Sequence, residues 1–600
     1  MKLRLIILPV LLYLVFTFLI PLNQWYRSGG AAWLLLIPAL LGLLLFAALR
    51  LALWGGSGGL RDVIRGQSEP EPKNIQADIG LRGGGGPSYS VRASIQLGEP
   101  IAEISERYLS FAIDTAQVVG GKWWDPSAAR RETGSGTISA PPFDFNRTKL
   151  DTLTAALAPA FLRIGGSEAD RVYYDMRGDK SVGDISVGGS VASGNYTGGD
   201  DASGETPAGF ESVLSRAQWD AANAFVDRNN LNLMFTLNAG PGTRTYAGNW
   251  HPENAKELLV YSAKKGYPID VWEFGNELNV FFAVHGAGEQ VPVDRYCQDL
   301  KRARELIMKH SHKSKLAGQG SAYWPVLGEP LSYFFGYFPE YLGGAGDLLD
   351  LVTWHYYPQQ SRRGRFAVRR AYPSRLLDPV NLDEAQYWAD KIAGCRDQFA
   401  GGKPIWMGET GNAQFGGEPG VSDVFIGGLW WLDQLGLMAR AGQQVVVRQT
   451  LTGMDYGLID DDTLEPRPDY WNSLLWKRLM GKMVYGVEKT GESSEKLRLY
   501  AHGSVSKDDS SVTVLAINLD HQRDAVLTLP DFFDGTCELY RITTPDIFGR
   551  TVLLNYEPLR LIDDQKLPKI FGERQENQEL PTVKINPLSY AFIKFSRKRT

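Results

Sequence analysis

The sequence predicts a (β/α)8 TIM barrel (α/β class) followed by a C-terminal β-sandwich, with an N-terminal transmembrane hairpin in front, and three patterns carry that prediction. Eight short apolar runs alternate with segments of helical period between residues 109 and 450. After Gly486 the pattern becomes apolar/polar alternation broken by Asp, Gly and Pro clusters, as in a sandwich. Before the barrel, residues 5–22 and 31–54 are apolar runs of about bilayer-spanning length.

In chain order, the two N-terminal runs are separated by NQWYRSGG, and Trp25, Tyr26, Trp33 and Trp54 stand at their ends as interfacial anchors would. Residues 1–54 are therefore expected to form two transmembrane helices, making a multi-pass membrane protein with the lipid bilayer as a partner. The first run also reads as a signal sequence, although no small-residue cleavage site follows it. Lys2, Arg4, Arg50, Arg61 and Arg65, against Arg27 in the loop, favour both ends in the cytoplasm. Residues 55–87 have linker composition, with EPEPK and RGGGGP. GLRGGGGP is not a phosphate loop, because Pro87 stands where a helix must start and no GK[ST] follows.

The eight barrel strands are read at LSFAID (109–114), FLRIGG (161–166), LNLMFTLNAG (231–240), IDVWEFG (269–275), SKLAGQG (314–320), LVTWHYY (351–357), KPIWMGE (403–409) and QVVVRQT (444–450). WDAANAFVDRNN, NAKELLVYSAKKG, DRYCQDLKRARELIMKH, EAQYWADKIAGCRDQF and DVFIGGLWWLDQLGLMARAG place apolar residues at helical spacing between them. A doubly wound sheet would alternate too, but its Gly-rich first turn is missing. The catalytic barrel is expected over residues 88–485 and the sandwich over 486–600, with 88–97 offering one more strand to the sandwich. The Gly/Ser/Asp-rich stretch 178–207 reads as a mobile excursion after the second strand.

Composition excludes several function classes. With 600 residues, 44% hydrophobic and 22% charged, the chain has ordinary globular composition and length for more than one domain. A net charge of −5 is too close to neutral to argue for nucleic acid. Cys297, Cys395 and Cys537 lie far apart and form no CxxC pair, so neither a zinc site nor a disulfide framework is supported. His310 and His312 are a close pair in a Lys-rich helical stretch, where a solvated face is the plainer reading. No metal and no cofactor are expected.

What remains is carboxylate chemistry. Glu277 ends the fourth strand and Glu409 the seventh, and barrel active sites form at the strands' C-terminal face. Two such carboxyls suit the cleavage of a glycosidic bond, one ionised and one protonated. Asp114 ends the first strand, His355 and Tyr357 the sixth, and Arg448 and Gln449 the eighth. Arg448 and Tyr357 beside Glu409 would keep it ionised, while Trp272 and Phe274 beside Glu277 would hold its proton. Each residue has a structural alternative: a strand-end Glu as a hydrogen-bonding group, Arg448 paired with a core carboxylate, His355 orienting its neighbours, Asp114 capping a turn. SRRGRFAVRRAYPSR (361–375) holds six arginines and no acid in the loop after the sixth strand. Arg362, Arg363 and Arg365 are expected there as contacts to an acidic substrate, against the readings of a solvated loop or one facing anionic lipid.

FLRIGGSEADRVYYD, VWEFGNELN, VTWHYY, WMGETGNAQFGG, SDVFIGGLWWLDQLGLMARAG, VVVRQTL and PDYWNSLLWKRLMG, in this order over residues 105 to 600, resemble the heparanase and β-glucuronidase family of glycoside hydrolases, family 79. The resemblance implies a retaining mechanism on a β-linked uronic acid in a glucuronide or an acidic polysaccharide. It implies Glu277 as general acid/base, Glu409 as nucleophile, Asn276 on the sugar 2-hydroxyl and Tyr357 bonded to the nucleophile. Asp114, Ser167, His355, Gly416, Gly417, Gln449 and Tyr456 complete the expected substrate contacts. Phe415 stands where the family's uronate-binding loop has a glycine. A carbohydrate substrate places the barrel on the extracytoplasmic side, against the charge distribution around the hairpin. Two other functions stay open: a different retaining barrel glycosidase of xylosidase or arabinofuranosidase type, and a non-catalytic glycan-binding membrane protein. The second is disfavoured by the presence of both glutamates.

Overall fold

The computed structural model describes residues 87–597 other than 124–137, 178–205, 245–247, 324–336, 365–366, 368, 507–508, 530–532 and 577–581. The excursion expected at 178–207 lies almost wholly outside the described residues.

Seven barrel strands are continuous: Leu109–Asp114, Ala160–Gly165, Leu231–Leu237, Ile269–Phe274, Val352–Tyr356, Ile405–Thr410 and Val445–Arg448. The fifth strand is split. Lys315–Ala317 pairs with the fourth strand and Ser321–Tyr323 with the sixth, and Gly318-Gln319-Gly320 turns the chain between them. The eighth strand pairs with the first, and a bridge between Ala317 and Leu351 closes the ring. All these pairings are parallel. Parallel strands are covered on both faces, which is why they read as unbroken apolar runs in the sequence.

A helix follows each strand: Thr148–Ala155, Arg216–Arg228, Glu253–Lys265, Val293–His310, Tyr337–Ala345, Pro379–Phe399, Phe425–Arg440 and Pro468–Leu479. The second of these starts on a capping box, with Ser215 and Gln218 each bonding the other's backbone N–H. Inside the barrel, Phe161, Met234, Val271, Leu351, Trp406 and Val447 belong to a separate apolar cluster. Phe161, Val271 and Trp406 sit early in their strands and Leu351 just before the sixth, so the cluster fills the barrel below the strand tips that carry Asp114, Glu277 and Glu409.

The sandwich draws on both sides of the barrel sequence. Tyr89–Gln96 pairs antiparallel with Met483–Thr490 and parallel with Ala525–Thr528, which pairs in turn with Thr582–Ile585. Met483–Thr490 also begins the facing sheet, which continues through Leu497–Gly503, Val512–Asn518, Ser589–Arg597 and Phe533–Thr543. Val91, Ile95, Leu499, Val514, Leu527 and Ile593 share the core between the two sheets. Tyr89–Gln96, within the stretch 88–97, pairs with two of these strands, and Met483–Thr490 runs across residue 485.

The helix Phe425–Arg440 joins the two parts. Its Phe425 and Ile426 N–H groups donate to the Gly549 and Ile547 carbonyls at 2.9 and 3.0 Å, satisfying two orphan donors of its first turn. Arg498 bonds Asp433 at 2.7 Å and Asp383 at 2.6 Å, and the Tyr500 ring lies so close over Gly436 that a Cβ there would come within 2.3 Å. Every residue of this helix but Arg440 is buried, so FIGGLWWLDQLGLMAR is apolar nearly all round instead of on one stripe. Truncating a buried leucine such as Leu432 to alanine would cost about 2–5 kcal/mol.

The membrane expectation is corrected. Among the described residues no helix is long and apolar enough to cross a membrane. Both apolar runs, 5–22 and 31–54, and the linker 55–86 lie outside the described residues. The transmembrane hairpin, the bilayer as partner and the multi-pass location are not carried further.

Candidate active site

Glu277 is carried past the fourth strand by Gly275-Asn276. Gly275 has φ +78°, and a Cβ there would meet Leu278 Cδ1 at 2.4 Å, so only glycine fits the turn. Glu277 itself is left-handed, with φ 52° and ψ 45°, and its N–H donates to the Gln319 carbonyl at 2.7 Å. That bond uses the break in the fifth strand. Asp170 holds the same turn from the second strand's loop, accepting the N–H groups of Ala239 at 2.8 Å and Asn276 at 2.9 Å.

Glu409 is aimed by a bulge. In the pairing of the sixth and seventh strands Trp354 faces Met407 and His355 faces Glu409, which leaves Gly408 unpaired. The extra residue re-aims the side chain that follows it. Glu409 Oε1 accepts from the Tyr357 hydroxyl at 2.6 Å and Oε2 from Arg163 Nη1 at 2.8 Å. His355 Nδ1 lies 2.9 Å from Glu277 Oε1 and 3.8 Å from Glu409 Oε2. One oxygen of each glutamate and one nitrogen of His355 all fall within 4.8 Å of one another. That spacing suits a retaining pair, whose carboxyls stand about 5–5.5 Å apart, and leaves no room for the water of an inverting pair. The same three groups could in principle ligate a metal, but the Arg163 guanidinium holds Glu409 Oε2 and opposes a divalent cation there.

Arg163 escaped the sequence reading. It is fully buried in the middle of the second strand, where its Nε bonds Glu273 at 2.9 Å and its Nη2 bonds Asn276 Oδ1 at 2.8 Å besides the contact to Glu409. Thr236 donates to the same Glu273 oxygen at 2.6 Å. The network also fixes the Asn276 amide: with Oδ1 taken by Arg163, Nδ2 faces away as a donor. A lone arginine inside FLRIGG and a lone glutamate inside IDVWEF were the available signal, since buried charges occur almost only in pairs.

Burial opposes ionisation of Glu409, yet His355, Arg163 and Tyr357 together outweigh it and hold the carboxyl below its ordinary range. Burial pushes Asp114 well above its ordinary range, with Glu168 and Glu409 adding to the rise. Burial likewise lifts Asp170 to about 7 against its two N–H donors.

Residues 91–436 match the family described as glycosyl hydrolase family 79, N-terminal domain. The chain belongs to glycosyl hydrolase family 79. It is a glycoside hydrolase, and its substrate is a carbohydrate. Bovine (Bos taurus) heparanase is 32% identical over 480 residues, covering 74% of this chain and 84% of that protein. The baicalin-β-D-glucuronidase of Scutellaria baicalensis is 28% identical over 518 residues, covering 82% and 90%. Among solved structures, the GH51 arabinofuranosidase of Xanthomonas axonopodis pv. citri is similar with a TM-score of 0.56 at 14% identity, over 85% of this chain and 100% of that one. At that identity the likeness concerns the fold alone.

In this family 79 chain the remaining expected residues fall into three groups. Asp114, Asn276, His355, Tyr357, Gln449 and Tyr456 are buried around the glutamate pair, and Gln449 Nε2 donates to Asp114 Oδ1 at 2.6 Å. Ser167 begins a short turn, Ser167–Arg171, directly after the second strand. Gly416 and Gly417 follow Phe415 in a run of left-handed residues with φ 67°, 79° and 86°. Phe415 is thus a non-glycine residue in the left-handed region, and its ring lies against Gly364, where a Cβ would meet it at 2.6 Å.

Three expectations change. Arg448 is not beside Glu409: it is fully buried, pairs with Asp469 at 2.8 Å and lies over the Trp430 and Trp431 rings. Trp272 and Phe274 point away from Glu277 and pack under the helices, on Trp219 and on Trp250 and Tyr296. Of the arginine loop, Arg362 is paired with Glu418 at 2.8 Å and Arg363 with Asp455 at 2.7 Å, so both guanidinium groups tie loops together; Arg365 lies outside the described residues. Arg363 Nη2 also bonds the Gly417 carbonyl at 2.6 Å and so braces the glycine turn.

Proposed function

We propose that this chain is a retaining glycosidase that cleaves β-glucuronosyl linkages in glucuronides or acidic polysaccharides, with Glu409 as nucleophile and Glu277 as acid/base. The observation that carries the assignment is the asymmetry of the pair. Arg163 and Tyr357 each bond one oxygen of Glu409, whereas Glu277 meets His355. The ionised carboxylate attacks the anomeric carbon, and Glu277 gives its proton to the departing oxygen. Glu277 then takes a proton from the water that releases the sugar from Glu409. Asn276 Nδ2, oriented by Arg163, donates to the 2-hydroxyl. The uronic carboxylate fits the Gly416 and Gly417 N–H groups, which donate to no group among the described residues, with Tyr456 beside them. The heparanase and glucuronidase activities named for the relatives support the same substrate class.

The test is stereochemical. Glu409→Gly should abolish turnover of an aryl β-glucuronide, and azide filling the vacated space should yield the α-glucuronosyl azide. Glu277→Gly with azide should yield the β-anomer, because azide then attacks the sugar bound to Glu409 from the opposite face. The same anomer from both variants would overturn the assignment of roles, and turnover of aryl xylosides or arabinofuranosides in place of glucuronides would overturn the substrate.

A further inference from the structure

Glu168 is the one carboxylate of the Ser167–Arg171 turn at the catalytic mouth that has no side-chain hydrogen bond among the described residues. Its neighbour Asp170 is engaged by two N–H groups and serves the Glu277 turn. Glu168 is half-buried, and it points to the same place as Asp114: a Cβ built on Gly166 would lie 2.7 Å from Asp114 Oδ1 and 3.7 Å from Glu168 Oε2. Gly166, at φ +94°, is what lets the two carboxyls approach. The cation that faces Glu168 is Arg171, which is engaged with Glu211 at 2.5 Å, His285 Nδ1 at 2.8 Å and the Val284 carbonyl at 3.0 Å. A second polar group awaits a ligand there. Gln449 is buried, its Nε2 bonds Asp114, and its Oε1 has no partner among the described residues.

We propose that Glu168 is a sugar contact and a specificity determinant, forming with Asp114 an acidic wall that accepts unsulfated uronosyl rings and rejects rings carrying an O-sulfate. The proposal deepens the β-glucuronidase reading and rests on it. The remaining lone pairs of these two carboxylates can accept hydrogen bonds from ring hydroxyls, as can Gln449 Oε1. Burial lifts both carboxyls; Glu168 and Glu409 add to the rise at Asp114, while at Glu168 its own backbone N–H and Arg171 oppose burial and Glu409 adds to it. A sulfate cannot take up a proton in response, so its charge stays and is repelled. The uronic carboxylate avoids this wall by binding on the glycine side, at Gly416 and Gly417.

The experiment compares kcat/KM for an aryl β-glucuronide and its 2-O-, 3-O- and 4-O-monosulfated forms, in the wild type and in Glu168→Gln and Glu168→Lys. Each result is read as a sulfated-to-unsulfated ratio within one preparation, which cancels the fraction of folded enzyme. The ratio should rise at least about fivefold in Glu168→Gln for one isomer or more, and further in Glu168→Lys, as expected when a like charge facing the substituent is removed and then inverted. A smaller change for all three isomers overturns the proposal. Wild-type enzyme without turnover of the unsulfated glucuronide would instead overturn the proposed function itself.

Discussion

Replacing Tyr357 with phenylalanine removes one oxygen from the site and nothing else. The ring packs with Ala116, Val280, Ala322, Met454 and Tyr456, contacts that phenylalanine keeps, so no cavity forms. What is lost is a 2.6 Å hydrogen bond from a buried hydroxyl to an ionised carboxylate. Bonds to a charged group are worth about 1.5–3 kcal/mol, which corresponds to roughly 10- to 100-fold in rate if it is lost from the attacking group. The sign of the pH effect follows from the site. Burial favours the neutral acid, and His355, Arg163 and Tyr357 pull Glu409 the other way. Without Tyr357 burial gains, the carboxyl rises, and the ionised nucleophile appears only at higher pH. The acid limb of kcat/KM against pH on an aryl β-glucuronide should therefore move upward, with activity at the plateau reduced by the factor above. A variant within twofold of wild type at every pH would refute the idea that this hydroxyl holds the nucleophile.

Gly320→Ala should lower kcat by at least about tenfold with KM little changed, because the new Cβ would come within 2.3 Å of His355 Nε2 at φ +54° and displace the imidazole from Glu277; steady-state kinetics on the aryl glucuronide check this. Arg448→Met should cost about 3–5 kcal/mol of stability by leaving Asp469 unpaired in the core. Its kcat/KM per folded molecule should stay within about threefold, as measured by denaturant unfolding together with active-site titration. Asp170, lifted to about 7 from an ordinary carboxylate value, binds its proton more tightly in the folded chain, so its contribution to stability falls as pH rises between about 4 and 7. Asp170→Asn should flatten that part of the Tm-against-pH curve in calorimetry, whatever its effect on the absolute Tm.

Barrel strands and their polar tips were legible because burial on both faces leaves few polar residues inside a strand, so a Glu directly after VWEFGN or IWMG stands out. The partner that holds the nucleophile was not. Arg163 and Arg448 look alike in sequence, each a lone arginine in an apolar run, and only the ring closure decides which one meets Glu409 and which meets Asp469. The same blindness affects Trp272 and Phe274: period two along a strand says that they share a face, not whether that face is the lumen or the helix layer. The broken fifth strand was read as one run because Gly318-Gln319-Gly320 extends it without a change of polarity. The boundary expected at 485 cuts through MVYGVEKT because that strand shows no clean alternation in sequence: only Val484 is fully covered, and its place in the sheet depends on Tyr89–Gln96, nearly four hundred residues earlier.

That last pairing has a consequence for biosynthesis. Tyr89–Gln96 leaves the ribosome long before its partners and cannot pair with Met483–Thr490 or Ala525–Thr528 until the whole barrel has been translated. At about 5–20 residues per second it waits roughly 20–80 s as a lone amphipathic ribbon with both edges open. Its alternating covered and exposed residues are well suited to recruiting a second nascent chain. Fragments that stop short of residue 483 would keep that ribbon unpaired for good, and such fragments should precipitate, while the complete chain stays in solution.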